Sequence, residues 1–162
     1  MRIELDENDK CILKGLLSDG RLSYSELGRQ CGLSRQTVLN RIRRLLEGGL
    51  IKKFSMRLDA EKLGLSFKAY VLIIAKPDKV LREELTEFLK RCRCVTQLHL
   101  LFGRFDFFVE LLVRDKAELT AFIKSLHAFG AVERTETFMV YETLKHEPEA
   151  PLLAVLNAGG GI

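Results

Sequence analysis

The chain is short of the features that mark a membrane-spanning or exported protein. Its longest strongly apolar stretch, Ala69 to Ala75, falls far below the ~18 to 20 residues a spanning helix needs. Glu4, Asp6, Glu7 and Asp9 stand where a leader would carry basic residues ahead of an apolar run. No membrane partner and a cytoplasmic address are therefore expected. Cysteine is sparse: Cys11, Cys31, Cys92 and Cys94 match no zinc-ligand spacing, and all four are expected as reduced thiols that pack like small hydrophobes. A glycine-rich phosphate loop, a serine-nucleophile motif and a paired-carboxylate pattern are missing, so no cofactor, metal or catalytic residue is assigned. Of the three histidines, His99, His127 and His146, only His99 alternates along a strand with Gln97 in a way that suits an acid, a base or an iron ligand. A strand histidine is more often a packing residue.

What is present is an ordinary globular composition, 47% hydrophobic and 30% charged over 162 residues, enough for one domain or two small ones. The net charge of +4 is unevenly placed. Met1 to Gly64 holds 13 basic and 9 acidic residues, whereas the remainder is balanced. Between Arg29 and Arg57 eight basic side chains meet the single acid Glu47. A solvated helix face usually mixes both signs, so this local lack of acid is the electrostatic footprint expected of a phosphate-backbone partner.

The spacing predicts three short helices in that region. Asp6 is a suitable N-cap for a first helix with Ile12, Leu13, Leu16 and Leu17 at helical intervals, stopped by Asp19-Gly20. Ser23-Tyr24-Ser25-Glu26 has the S-x-x-E capping-box form, and a second helix should run from it to Gly32. Ser34 caps a third, which Gly48-Gly49 ends. At about 100° per residue, Val38, Ile42, Leu45 and Leu46 fall on one side of this helix, and Gln36, Asn40, Arg43 and Glu47 fall opposite, with Thr37 and Arg44 beside them. Amides and guanidiniums on an outward face make bidentate contacts with base edges or clamp phosphates, and this arrangement is a helix-turn-helix. Leu50 to Leu58 has β character and reads as a strand or wing.

After a polar connector, Asp59 to Ser66, the pattern changes. Phe67 to Ala75 is a strand and is followed by a helix burying Val80, Leu81, Leu85, Phe88 and Leu89. Val95 to Phe102 and Phe105 to Val113 are strands joined across Gly103-Arg104, a second helix buries Leu119, Phe122, Ile123 and Leu126, and Val132 to Tyr141 is the last strand. The order βαββαβ is that of a ferredoxin-like sheet with one open face, which on a monomer leaves an exposed apolar patch, so association is expected. The resulting α+β plan comprises an N-terminal winged helix-turn-helix domain (1–58), a linker (59–66), a C-terminal ferredoxin-like domain (67–145) and a tail (146–162) in which Gly159-Gly160-Gly161 should fray.

The run Leu5-Asp6-Glu7-Asn8-Asp9 with Ile12-Leu13, then Gly32-Leu33-Ser34, Val38 with Arg41-Ile42-Arg43-Arg44-Leu45, Gly49-Leu50-Ile51 and Gly103-Arg104-Phe105-Asp106 resembles the Lrp/AsnC (leucine-responsive, feast/famine) family of transcriptional regulators. The resemblance extends from residue 2 to about residue 145. It implies DNA binding through Ser34, Arg35, Gln36, Thr37, Asn40, Arg41, Arg43 and Arg44. It also implies a C-terminal domain that dimerises and, in many members, binds an amino acid where subunits meet, here at Gly103, Arg104 and Asp106, with Thr135 and Thr137 nearby. A two-residue turn at Gly103-Arg104 is expected to offer Arg104 and Asp106 to a zwitterion, although Arg104 can equally fill the pocket or pair with another subunit. A homodimer or higher even oligomer follows from the open sheet face. The alternative function is a sirohaem-type tetrapyrrole decarboxylase of the same two-domain look, which has little need of a basic outward face on the third helix.

Overall fold

A computed structural model describes residues 4–158 of the chain, so the glycine run of the tail lies outside the described residues. The chain divides into two compact units, one made of the residues up to Arg57 together with those from Lys145 onward, the other spanning Leu58–Leu144.

The first unit is helical. Helix α1 (Glu7–Ser18) starts at a capping box in which the Asp6 and Asp9 side chains each accept the other's backbone N–H. Helix α2 (Tyr24–Cys31) has the expected box between Ser23 and Glu26 and ends at Gly32, whose φ of 67° suits a residue without a Cβ. Helix α3 (Arg35–Glu47) is capped by the Ser34 hydroxyl, which accepts the Thr37 N–H at 3.1 Å. Ile12, Leu27, Val38 and Ile42 are buried where the three helices meet. Leu46, on the rim of the α3 apolar stripe, is exposed. The turn between α2 and α3 is closed so tightly that a Cβ on Gly28 would stand 2.6 Å from the Leu33 carbonyl oxygen.

Two features of this unit depart from the sequence reading, and a third lies beyond it. Residues 51–58 form no strand, so there is no wing; that stretch is an exposed, extended connector in which Phe54, Met56 and Leu58 find no sheet neighbour to pair with. Cys11 and Cys31 are not free thiols but a disulfide joining α1 to α2, their Cα atoms 5.9 Å apart, whereas Cys92 and Cys94 are free. The tail is helical: α6 (Ala150–Asn157) lies against α1, and its Leu156 is buried with Leu13 and Leu45. Arg57 meets the same segment, donating to the His146 carbonyl at 3.0 Å and to Glu149 at 3.2 Å.

The second unit is the expected βαββαβ domain. Strands β1 (Phe67–Ala75), β2 (Val95–Leu100), β3 (Phe107–Val113) and β4 (Val132–Met139) form one antiparallel sheet in the order β2-β3-β1-β4. Helices α4 (Lys79–Arg91) and α5 (Lys116–His127), capped by Asp78 and Asp115, supply Leu85, Leu89, Leu119, Phe122 and Leu126 to the core beneath them. Alternation along β1 and β3 sends Ala69, Val71, Ile73, Phe107, Val109 and Leu111 to that core, and Tyr70, Leu72, Ile74, Phe108 and Leu112 to the other face. Val80 does not face inward as the spacing suggested; it sits in the first turn of α4 and is 63% exposed.

Candidate nucleic-acid interface and effector loop

The outer face of α3 presents Ser34, Arg35, Gln36, Asn40 and Arg43 to solvent, with Thr37 half-buried among them. Local bonds order this face. The Ser34 and Thr37 hydroxyls lie 2.8 Å apart, and the Gln36 amide donates to the Asn40 side-chain oxygen at 3.1 Å, one helical turn on. That pair leaves the Asn40 amide nitrogen and the Gln36 oxygen without a partner among the described residues, a donor and an acceptor of the kind that reads an adenine edge. Arg35 and Arg43 have no side-chain partner among the described residues, which leaves both guanidiniums available for phosphate or guanine.

Arg41 and Arg44, the other two arginines assigned to DNA from sequence, are placed differently. Arg41 turns back toward α1, where its Nη1 donates to both oxygens of Asp6, at 2.8 and 2.6 Å, and to Asp9 Oδ1 at 2.9 Å. Arg44 pairs with the second oxygen of Asp9. The Arg41 guanidinium holds the Asp6 carboxyl below its usual range, and Asp6 followed by Asp9 raises Arg41 in return. The wheel placed Arg44 beside the readers, and a helical angle gives a direction and not a partner; the partner here is Asp9. Sequence reasoning missed Asp9. The signal was present, since Asp9, Ile12, Leu13 and Leu16 follow helical spacing and put an acid on the apolar face of α1.

The loop between β2 and β3 is longer than a two-residue turn. Strand β2 stops at Leu100, the Leu101 N–H donates to the Asp106 carbonyl at 2.8 Å, and residues 101–106 form the connection. Phe102 stands fully exposed and Gly103 adopts φ 145°, open to few other residues. Asp106 does not present its charge outward. Its Oδ2 accepts the Ala75 N–H and its Oδ1 the Arg82 guanidinium, each at 2.8 Å, while its own N–H donates to Ile73. The Ala75 N–H, and after it Arg82, hold the carboxyl below the usual carboxylate range. Arg104 lies over the Phe105 ring and reaches Glu136 at 3.4 Å; Arg134 meets the same carboxylate at 3.0 Å.

Thr135 and Thr137 pair with Ile73 and Val71, which puts them on the helix-covered side of β4, whereas Glu136 points the other way. Thr135 meets His127 Nε2 at 3.0 Å and Thr137 is exposed. Of the five residues assigned to an effector, Gly103, Arg104 and Asp106 thus lie in the loop between β2 and β3, and Thr135 and Thr137 on the helix-covered side of β4. Glu136, which sequence did not single out, is the residue that Arg104 meets. His99 lies on the open face, 3.2 Å from Gln97 and tilted against Phe108.

Comparison with known proteins agrees with this layout. Residues 5–46 match the AsnC-type helix-turn-helix domain and residues 68–150 the Lrp/AsnC ligand binding domain. The HTH-type transcriptional regulator FL11 of Pyrococcus horikoshii is 34% identical over 152 residues, covering 94% of this chain and 99% of its own. A transcriptional regulator of Neisseria meningitidis, solved as its L-Met complex, superposes with a TM-score of 0.84 at 25% identity, covering 93% of this chain and 100% of that one. An AsnC family transcriptional regulator of Agrobacterium tumefaciens gives 0.83 at 26% identity over 91% of this chain and 97% of its own. Among the described residues no helix is long and apolar enough to cross a membrane.

Proposed function

The chain belongs to the Lrp/AsnC family of helix-turn-helix transcriptional regulators, and from that premise we propose that it reads the major groove of double-stranded DNA with the outward side chains of α3. It is a DNA-binding regulator and not an enzyme, so the decarboxylase alternative falls away. The observation that carries the reading is the exposed group of Arg35, Gln36, Asn40 and Arg43 on a helix whose apolar side is sealed by Val38, Ile42 and Leu45. Ser34 and Thr37, at the N-terminal end that enters the groove first, complete the set.

Two copies act together in this reading. The open sheet face holds the half-buried Tyr70, Leu72, Ile74, Phe108 and Leu112, and a face of this kind is covered in an isologous dimer by its own counterpart. Two recognition helices then meet half-sites about one helical turn, ~34 Å, apart. An amino acid serves as effector, bound near Gly103 and Arg104 where subunits meet. Support comes from the ligand-binding class of the domain and from the methionine held by the Neisseria relative. Asp106 then keeps the loop in place and the ligand carboxylate falls to Arg104.

The test begins with selection of bound sequences from a randomised duplex pool. Arg43→Ala is expected to lose about 1 to 3 kcal/mol on the selected duplex if Arg43 meets a base, or to reduce the salt slope by about one if it meets a phosphate. Unchanged binding would refute the assigned face. Light scattering should give a dimer or a larger even assembly, and a stable monomer at micromolar concentration would sink the association. Calorimetry against the twenty amino acids that returned no heat would remove the effector.

A further inference from the structure

We propose that Asp9, a residue of α1, is a positioning residue that sets the specificity of the DNA reader by withdrawing Arg41 and Arg44 from the duplex. The inference rests on α3 as the DNA-facing helix. Asp9 is 1% exposed, and a carboxylate buried to that degree is costly unless its charge is matched. Here both of its oxygens are matched, Oδ1 by Arg41 at 2.9 Å and Oδ2 by Arg44, while Asp6 takes a second share of Arg41. Two of the four α3 guanidiniums are thereby neutralised by two acids at the start of α1. Arg35 and Arg43, with no partner among the described residues, are the cations left to the duplex.

This arrangement has a consequence for recognition beyond stability. A guanidinium free to reach phosphate strengthens binding to every sequence alike, and each added phosphate contact steepens the dependence of log K on log salt by about 0.9. Base-edge contacts supply the discrimination. A helix with four free arginines would hold any duplex tightly. With two of them held by Asp9, the sequence-blind part of the affinity falls while the base-reading group of Gln36, Asn40 and Arg43 is untouched. Arg44 is the informative member, because its side chain is more than half exposed and so within reach of a phosphate were Asp9 not holding it.

The experiment uses the full chain, a mixed-sequence 30-bp duplex and the sequences recovered from a randomised pool, with affinity measured across a salt series. Asp9→Asn keeps an acceptor for the α1 cap and removes the charge. It should bind the mixed-sequence duplex more tightly, with a salt slope steeper by about 0.9 for each guanidinium released, and recover a less defined set of sequences. A variant that only weakens binding, with the slope unchanged or shallower and the recovered sequences the same, would mean that Asp9 is a packing residue alone and overturns the proposal. If Asp9→Asn does not fold, Arg44→Ala and Arg43→Ala decide the matter. Arg43→Ala should weaken binding to the selected duplex or lower the slope by about 0.9, whereas Arg44→Ala should lower the slope by less than half of that. A fall of about 0.9 for Arg44→Ala overturns the role of Asp9, whereas an Arg43→Ala variant with neither affinity nor slope changed overturns the assigned face itself.

Discussion

Removing the Cys11–Cys31 crosslink should be the most damaging single chemical change available to the helical unit. The two cysteines are 20 residues apart, and the bond closes a loop that contains the end of α1 and all but the last residue of α2. In the chain-entropy account the constraint on the unfolded chain is 2.1 + 1.5R ln n in cal/mol/K, which for a loop of this size amounts to about 3 kcal/mol at 25 °C. In a helical unit of this size each kcal/mol moves the midpoint by about 4 to 8 °C, so reduction should lower the transition of that unit by roughly 12 to 24 °C. The sheet unit should melt unchanged, because Cys92 and Cys94 are unpaired. Burial pushes both of those thiols up, so they should also resist alkylation in the native state. Calorimetry with and without a phosphine reductant, beside the double variant Cys11→Ala/Cys31→Ala, measures the shift; thiol titration in denaturant before reduction should find two groups. Four titratable thiols, or a midpoint indifferent to reductant, would refute the reasoning.

Leu156→Ala should cost the helical unit about 2 to 3 kcal/mol, near the lower end for a buried leucine because it closes the rim of the core against Leu13 and Leu45; amide exchange in α1 is the readout. Gly28→Ala places a methyl 2.6 Å from the Leu33 carbonyl and should destabilise by about 1 to 3 kcal/mol, seen as a lower urea midpoint. Asp106 has a folded pKa below its unfolded value of about 3.9, so its contribution is complete above that pH and is lost as pH falls through the lower, folded value. The stability gap between wild type and Asp106→Ala should therefore be constant near neutrality and close in acid; a gap independent of pH down to about 2 would contradict the bonds that the carboxylate accepts from the Ala75 N–H and Arg82.

The parts of the molecule that were legible in the sequence are those decided by neighbours a few residues away. The caps at Asp6, Ser23 and Ser34 are local hydrogen bonds, and the structure forms each of them. The alternation along Phe67–Ala75 and Phe107–Val113 is likewise local, and it carried the sheet and its two faces. Contacts between elements were not legible. Whether Cys11 meets Cys31 depends on how closely α1 and α2 pack, which Gly15 permits by leaving room for Leu27. The partner of Arg44 lies 35 residues away. The end of β2 misled because Leu100, Leu101 and Phe102 continue an apolar run after the backbone has turned toward Asp106. The connector at 51–58 misled for the same reason, since a β-like composition makes no strand without an edge to join.

The packing of α6 on α1 alters what it means to separate the two units. Because chain from both sides of the sheet domain contributes to the helical unit, the sheet domain is topologically an insertion, and a protease that nicks the exposed stretch at 51–58 does not set the DNA reader free. The cut fragments should stay associated through the cluster of Leu156, Leu13 and Leu45. An expression fragment ending at Arg57 leaves the side of α1 against which α6 lies open to solvent. A circular permutant opened between β4 and α6, with a linker from the end of α6 to the start of α1, would retain every element and is the cleaner way to ask what the second covalent connection contributes.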